Sequence, residues 1–231
     1  MNANAPVVMV SGANRGMGAV IADTLHAAGW RVSLGCRTPP SSPPDDDQCR
    51  VFHYDALDDD SGRAWVGSTI SAFGRIDAVV NNAGILSRSS VLEASGDEFD
   101  RIMAVNAKAP MLLTQHAWPH LIEAPQGKVV TITSLSGKRV KSAASGLYAM
   151  SKFAAQAFVH GLRQCSADTR VRATAICPGP VATDMAIEGG LDGDHITRPD
   201  EVAQVVRLVL ELPPSAAIAE VPIHWQVEST V

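Results

Sequence analysis

Residues 7–18 read Val7-Val8-Met9-Val10-Ser11-Gly12-Ala13-Asn14-Arg15-Gly16-Met17-Gly18. The apolar run Val7–Ser11 suits a strand buried on both faces. From Gly16 to Ala28 the pattern changes. Val20, Ile21, Leu25 and Ala28 recur at helical spacing, and Gly29 ends the run. Between strand and helix stand three glycines spaced GxxxGxG. Glycine permits a tight turn there and lets the backbone approach a ligand closely. A helix start presents unpaired N–H groups and a partial positive charge, which suits a pyrophosphate. The stretch therefore predicts the first strand–turn–helix of a nucleotide-binding unit, with Gly12, Asn14, Arg15, Gly16, Met17 and Gly18 beside the ligand.

The rest of the chain repeats this alternation. Arg31–Cys36, Arg50–His53, Ala78–Val80, Lys128–Thr133, Val171–Cys177 and Ala219–Trp225 read as strands. Ser61–Phe73, Asp97–Ile122, Gly146–Ser166 and Glu201–Leu212 read as helices. Strands separated by helices predict βαβ units, right-handed crossovers and a parallel sheet. The expected class is α/β: a single doubly wound parallel sheet of about seven strands with helices on both faces, Rossmann-like. No repeat or linker divides the 231 residues, so one domain over residues 1–231 is expected. Thr38–Gln48 (TPPSSPPDDDQ) departs from the pattern with four prolines and three consecutive acids. It reads as a loop standing where a crossover helix would normally be.

Composition bounds the function. Hydrophobic residues make up 46% and charged residues 19%, enough to build a core and to exclude wholesale disorder. Lys and Arg number 19 against 24 Asp and Glu, and the net charge of −5 argues against nucleic acid as a partner. The first residues show neither a basic region nor an apolar one of the signal-peptide kind. No apolar run approaches the roughly 20 residues that span a bilayer. Cys36, Cys49, Cys165 and Cys177 form no CxxC pair and no metal-ligand spacing with His, so free thiols, no metal and a cytoplasmic location are expected.

Further short motifs follow in order. Asp55-Ala56 follows the third strand, Asn81-Asn82-Ala83-Gly84 closes the fourth, and Asn106 sits in the long helix. Ser134 closes the fifth strand with Gly137 three residues on, and Tyr148-Ala149-Met150-Ser151-Lys152 reads YxxxK. Pro178-Gly179 follows the sixth strand, with Val181 and Thr183 beyond. Together with Gly12-xxx-Gly16-x-Gly18 this set resembles the short-chain dehydrogenase/reductase family, with Ser11 where that family usually has Thr.

The resemblance implies a hydride-transferring oxidoreductase that interconverts a carbonyl and an alcohol. Its implied catalytic residues are Asn106, Ser134, Tyr148 and Lys152. Its implied cofactor contacts are the glycine loop, Asp55, Ala56, Asn81, Ala83, Gly84, Tyr148, Lys152, Pro178, Gly179, Val181 and Thr183. Tyr148 and Lys152 stand four apart on one helix face, and a nearby ammonium is expected to lower the phenol pKa from about 10. Ser134 stands fourteen residues before Tyr148 where the family usually has thirteen, which leaves Ser136 as an alternative.

The second strand ends at Cys36-Arg37 with no carboxylate to meet ribose hydroxyls. Arg37 offers a planar fork for a phosphate, and the resemblance implies that a basic residue in the glycine loop, here Arg15, together with one just after the second strand goes with NADP, so NADP(H) is the expected cofactor rather than NAD(H). The acidic run Asp45–Asp47 is expected to face solvent. An NAD-dependent alcohol dehydrogenase, or a non-catalytic NADP-binding sensor or scaffold, are the alternatives. Residues 182–198, with Met185, Ile187, Gly189, Gly190, Leu191, Gly193 and His195, resemble the family's substrate lid. The Asp97 and Tyr148 helices look apolar on more than one side, and the resemblance implies a homodimer or homotetramer.

Overall fold

The computed structural model describes residues 4–41, 46–188 and 196–226, with the side chains of Ile187 and Glu188 excepted. The strands are β1 (Val7–Ser11), β2 (Arg31–Cys36), β3 (Cys49–His53), β4 (Ala78–Asn81), β5 (Lys128–Ile132), β6 (Arg172–Pro178) and β7 (Glu220–Ile223). They form one seven-stranded sheet in the order β3-β2-β1-β4-β5-β6-β7, parallel at every pairing. The chain begins at the centre, winds outward through β2 and β3, and returns to β4 on the other side of β1. The two halves separate above the carboxyl ends of β1 and β4, where such sheets hold ligands.

The helices are α1 (Gly16–Ala27), α2 (Asp59–Phe73), α3 (Gly96–Met103), α4 (Ala109–Glu123), α5 (Gly146–Cys165), α6 (Asp184–Glu188) and α7 (Pro199–Glu211). Strand alternation sorts the apolar residues between two cores. Val8 and Val10 of β1, with Ala78 and Val80 of β4, pack against Ile21 and Leu25 of α1 and Val202 and Val206 of α7. Met9 and Val79, one residue out of phase, pack on the other face with Trp65 of α2, Leu113 and Leu121 of α4 and Val159 of α5. Both faces are thus covered, which is why these strands read as continuous apolar runs. Among the described residues no helix is long and apolar enough to cross a membrane.

Several element ends are set by local chemistry. The Asp58 carboxylate accepts the Asp60 N–H and starts α2 two residues before the predicted Ser61, and Gly74, at φ 78°, ends it. The Ser95 hydroxyl accepts the Glu98 N–H and starts α3. The long helix expected over Asp97–Ile122 is instead three pieces. A π turn, Ala104–Lys108, separates α3 from α4. Pro110 explains the break. It has no N–H for the Asn106 carbonyl four residues earlier, its ring crowds that carbonyl, and the ladder slips so that Ala109 N bonds Ala104 O.

The proline-rich segment holds no helix among its described residues. Asp46 lies 2.9 Å from His26, and Asp47 accepts from Arg50 at 2.8 Å. These acids are exposed, as expected, but each has a cationic or imidazole partner within its own corner. The Trp65 ring from α2 packs against Gly35 of β2. A Cβ at Gly35 would stand 2.5 Å from that ring, which is fully buried and held by an Nε1–H bond to Ser33 Oγ. Gly35→Ala is therefore expected to destabilise the protein by about 1–3 kcal/mol, seen as a lower denaturant midpoint with unchanged slope.

Candidate functional site

The floor of the site is a clamp between two turns. The Ser11 hydroxyl, at the end of β1, accepts the N–H groups of Asn82 and Ala83 at 2.9 and 3.0 Å and donates to Val80 O at 3.4 Å. Asn82 Nδ2 returns the contact, donating to Ser11 O and Gly12 O at 2.9 and 3.3 Å. Gly12 sits at φ 66°, and a Cβ there would lie 3.0 Å from Ala83 Cα. A Cβ at Gly18 would lie 2.2 Å from Gly12 O. The hydroxyl common to Ser11 and the family's Thr therefore has a structural task, and the glycines are required by close approach.

Above this floor lies a cavity of about 710 Å³. The α1 N-terminus opens onto it through Gly16, Met17 and Gly18. Arg15, the cap residue, makes no side-chain cap bond, and no acid stands in the first turn, in contrast to the side-chain caps of α2 and α3. A helix start with unspent N–H groups beside a glycine cradle fits the pyrophosphate of a dinucleotide.

At the other end, α5 presents Tyr148 and Lys152 one turn apart. Lys152 is buried, donates from Nζ to Ile132 O at 3.0 Å, and lies 5.7 Å from the Tyr148 ring centroid. Ser134 follows β5. Its Oγ donates to Pro178 O at 3.4 Å and shares a hydrogen bond with the Tyr148 hydroxyl. Ser134 Oγ also accepts the Ser136 N–H at 3.0 Å, and both serines line the cavity. A Cβ at Gly137 would stand 2.8 Å from Lys152 O, so this glycine lets the serine loop lie against α5.

Asn106 stands behind this set. Its Oδ1 accepts Ile85 N at 2.9 Å, and its Nδ2 donates to Ile85 O and Ser151 Oγ, both at 2.9 Å. The π turn thus aims one amide at two elements and ties the segment after Gly84 to α5. A Cβ on Gly84 would lie 3.3 Å from Asn106 Oδ1 and 3.6 Å from Lys152 Nζ.

The electrostatics correct one expectation. Burial pushes the Tyr148 phenol up to about 12, and the Ser134 hydrogen bond only partly opposes it. Burial pulls the Lys152 ammonium down to about 8. The sequence pattern predicts a lowered phenol pKa from the neighbouring ammonium; in the structure loss of water is the largest influence on both groups, and it moves the phenol the other way.

The other predicted contacts divide clearly. Gly12, Asn14, Arg15, Gly16, Met17, Gly18, Arg37, Asp55, Ala56, Ala83, Gly84, Pro178, Gly179, Val181 and Thr183 all line the cavity with Ser134, Tyr148 and Lys152. Asn81 does not. It is buried in β4 with Nδ2 on Thr114 Oγ1 and Thr131 Oγ1, and strand alternation gives the cavity wall to Asn82, which the sequence reading passed over. Arg15 donates to Asp184 at 2.9 Å across the mouth, from the glycine loop to the first residue of α6. Arg37 is exposed on the rim, and Asp46 and Asp47 do not line the cavity. Gly179 packs beside Leu135 and Trp225. Of the expected lid, Met185 lines the cavity, while the Ile187 side chain and Gly189, Gly190, Leu191, Gly193 and His195 lie outside the described residues. Arg88, Arg101 and Lys141 line the wall near Tyr148 and were also passed over, since nothing local in the chain marks them.

Residues 6–192 match the short chain dehydrogenase family, and the chain belongs to it. That family is one of oxidoreductases that bind nicotinamide cofactors. It is 36% identical over 231 residues to an agropine synthesis reductase of Rhizobium rhizogenes, covering 97% of this chain and 53% of that protein. The chain thus spans about half the length of that relative. An alcohol dehydrogenase from Thermococcus sibiricus complexed with 5-hydroxy-NADP superposes with a TM-score of 0.84 at 25% identity, covering 98% of this chain and 100% of that one. A short chain dehydrogenase from Burkholderia cenocepacia in complex with NADP gives 0.81 at 25% identity over 95% and 96%.

The buried lysine carries a stability signature. With its folded pKa near 8 and its ordinary value 10.5, Lys152 binds fewer protons folded than unfolded in that interval. Its burial penalty is fully present below pH 8 and is relieved as pH rises toward 10.5. Lys152→Met is expected to be at least as stable as the parent at pH 7. The parent should then gain on the variant by roughly 3 kcal/mol across that window, read by denaturant melts at stepped pH.

Proposed function

We propose that this protein is an NADPH-dependent reductase that interconverts a carbonyl and an alcohol. The observation that carries the reading is the convergence of Tyr148, Ser134 and Lys152 at one end of a cavity whose other end is an uncapped helix start. When bound, NADPH supplies the hydride. The chain's own residues do the rest. Tyr148, a phenol protonated at neutral pH, donates its hydroxyl proton to the carbonyl oxygen as negative charge develops there. Ser134 Oγ hydrogen-bonds the same oxygen and steadies that charge. Lys152 sits behind Tyr148 and favours the phenolate that remains. Asn106 acts as a positioning residue, fixing Ile85 and Ser151 around Lys152.

The choice of NADPH over NADH rests on Arg37 and Arg15. Cys36 ends β2 where a ribose-binding carboxylate would stand, and Arg37 follows it on the cavity rim. The NADP-bound structures with a similar fold support the same reading. The nucleotide floor and the Tyr148 set share one sheet, which favours a single catalytic domain with residues 182–198 as its lid. Exposed Met111 on α4, with Met150 and Phe153 three residues apart on α5, favours pairing of these helices with a second copy in a homodimer or homotetramer.

Tyr148→Phe should lower NADPH-dependent carbonyl reduction by about 10²- to 10⁴-fold while leaving NADPH binding intact. Turnover near the parental rate would remove Tyr148 from the chemistry. Arg37→Ala should weaken NADPH by roughly 10- to 100-fold and spare NADH, read by fluorescence titration of each cofactor. Asp184→Asn frees Arg15 for phosphate and should tighten NADPH by up to about fivefold, as befits loss of an exposed pair.

A further inference from the structure

The wall beside Tyr148 carries charge that the cofactor reading does not use. Arg88 lies between Ser87 and Ser89, and Arg101 lies on α3; both line the cavity and both are exposed. Among the described residues neither makes an ion pair, whereas Arg15, Arg50, Arg75, Arg198 and Arg207 each hold a carboxylate. Lys141, on the approach to α5, lines the same cavity.

The natural partner for these guanidiniums would be Glu98, one turn before Arg101. Glu98 is committed elsewhere. Its carboxylate accepts from Ser87 Oγ at 2.8 Å and from Ser89 Oγ at 3.0 and 2.8 Å. These bonds fasten the Arg88 segment to the helix that carries Arg101. The segment is also tied to the catalytic helix: Ser89 O accepts Leu147 N at 3.5 Å, one residue before Tyr148. Two arginines are thus held on braced elements of the cavity wall, with the Glu98 carboxylate taken up by the two serine hydroxyls. The other acids on the cavity wall are Asp55, which follows β3, and Asp184, already paired with Arg15.

Arg88 and Arg101 bring positive charge to this wall in a chain of net charge −5, and neither makes an ion pair among the described residues, so the wall suits an arriving anion. The planar forks of arginine match the paired oxygens of carboxylate and phosphate. We infer that the substrate of this protein carries an anionic group, carboxylate or phosphate, which Arg88 and Arg101 bind while its carbonyl lies at Tyr148 and Ser134. This inference rests on the carbonyl-reductase reading above for the reaction, and on Arg88 and Arg101 alone for the charge.

The test pairs anions with neutral counterparts of the same skeleton: levulinate with methyl levulinate, and dihydroxyacetone phosphate with dihydroxyacetone. NADPH consumption is followed for the parent, Arg88→Gln, Arg101→Gln and the double variant. In the parent, at least one anion should exceed its neutral partner in kcat/KM by about tenfold or more, through KM, and added salt should erode that margin. The double variant should bring the ratio close to one without changing turnover of the neutral ketone, NADPH binding or Tm. Which anion is favoured separates carboxylate from phosphate. A parental ratio near one for both pairs, or a ratio that survives in the double variant, overturns the inference while leaving the reductase reading standing. Should NADPH bind and no ketone turn over, the reductase reading falls. Calorimetric titration of the same four compounds then decides the charge: an anion bound about tenfold tighter than its partner, with the margin lost in the double variant, supports the inference, and equal or absent binding overturns it.

Discussion

The Ser11 hydroxyl carries the β1–β4 pairing past the ends of the two strands and fixes the turns that form the floor of the site. It bonds the N–H groups of Asn82 and Ala83 at the point where β1 and β4 part. Asn82 closes the loop by bonding Ser11 O and Gly12 O. The glycine loop is therefore shaped from below by another strand's turn. Remove that pairing and neither the α1 N-terminus nor Gly84 keeps its place relative to Lys152. The glycines fit this frame because the clamp leaves no space for a side chain at Gly12 or Gly18. Burial of β1 on both faces keeps the frame rigid, since Val8 and Val10 are locked against α1 and α7 and Met9 against the opposite core.

The Tyr148 end of the cavity is built on the opposite principle. Lys152 is a buried cation whose ammonium meets a single carbonyl, and Tyr148 is a phenol made harder to ionise by its surroundings. Both are costly arrangements in the folded protein. They persist because α5 is secured on several sides, through Asn106 to Ser151, through Gly137 against Lys152 O and through Ser89 to Leu147. The π turn at Ala104–Lys108 belongs to the same logic. A regular helix would carry Asn106 along a uniform face, whereas the widened turn lets its amide hold Ile85 and Ser151 together.

Much of this was legible in the chain because it is local. Strand and helix periods placed β1 through β6 within a residue or so, and the glycine spacing located the ligand end. What escaped the sequence depended on packing. Asn81 and Asn82 are neighbours with equal chemistry, and only the strand's alternation decides which one reaches the cavity. Pro110 stands in plain view, but its effect on the helix needs the register of the carbonyl four residues back. The direction of the Tyr148 shift depends on water that a sequence does not display. Arg88 and Arg101 are thirteen residues apart and meet on one wall because Glu98 draws the Ser87–Ser89 segment onto α3.

Gly179 gives the site a property of a different kind. With no side chain there, Leu135 and Trp225 both come close to its backbone, and Trp225 remains 39% exposed. Trp65, by contrast, is 1% exposed and hydrogen-bonded to Ser33 deep under β2. Two of the protein's four tryptophans therefore stand in opposite settings, one sealed and one beside the Pro178–Val181 wall. The sealed indole senses the integrity of the sheet, and the open one senses what happens at that wall. Burial of the one and exposure of the other set their emission apart, beside that of the partly or wholly buried Trp30 and Trp118.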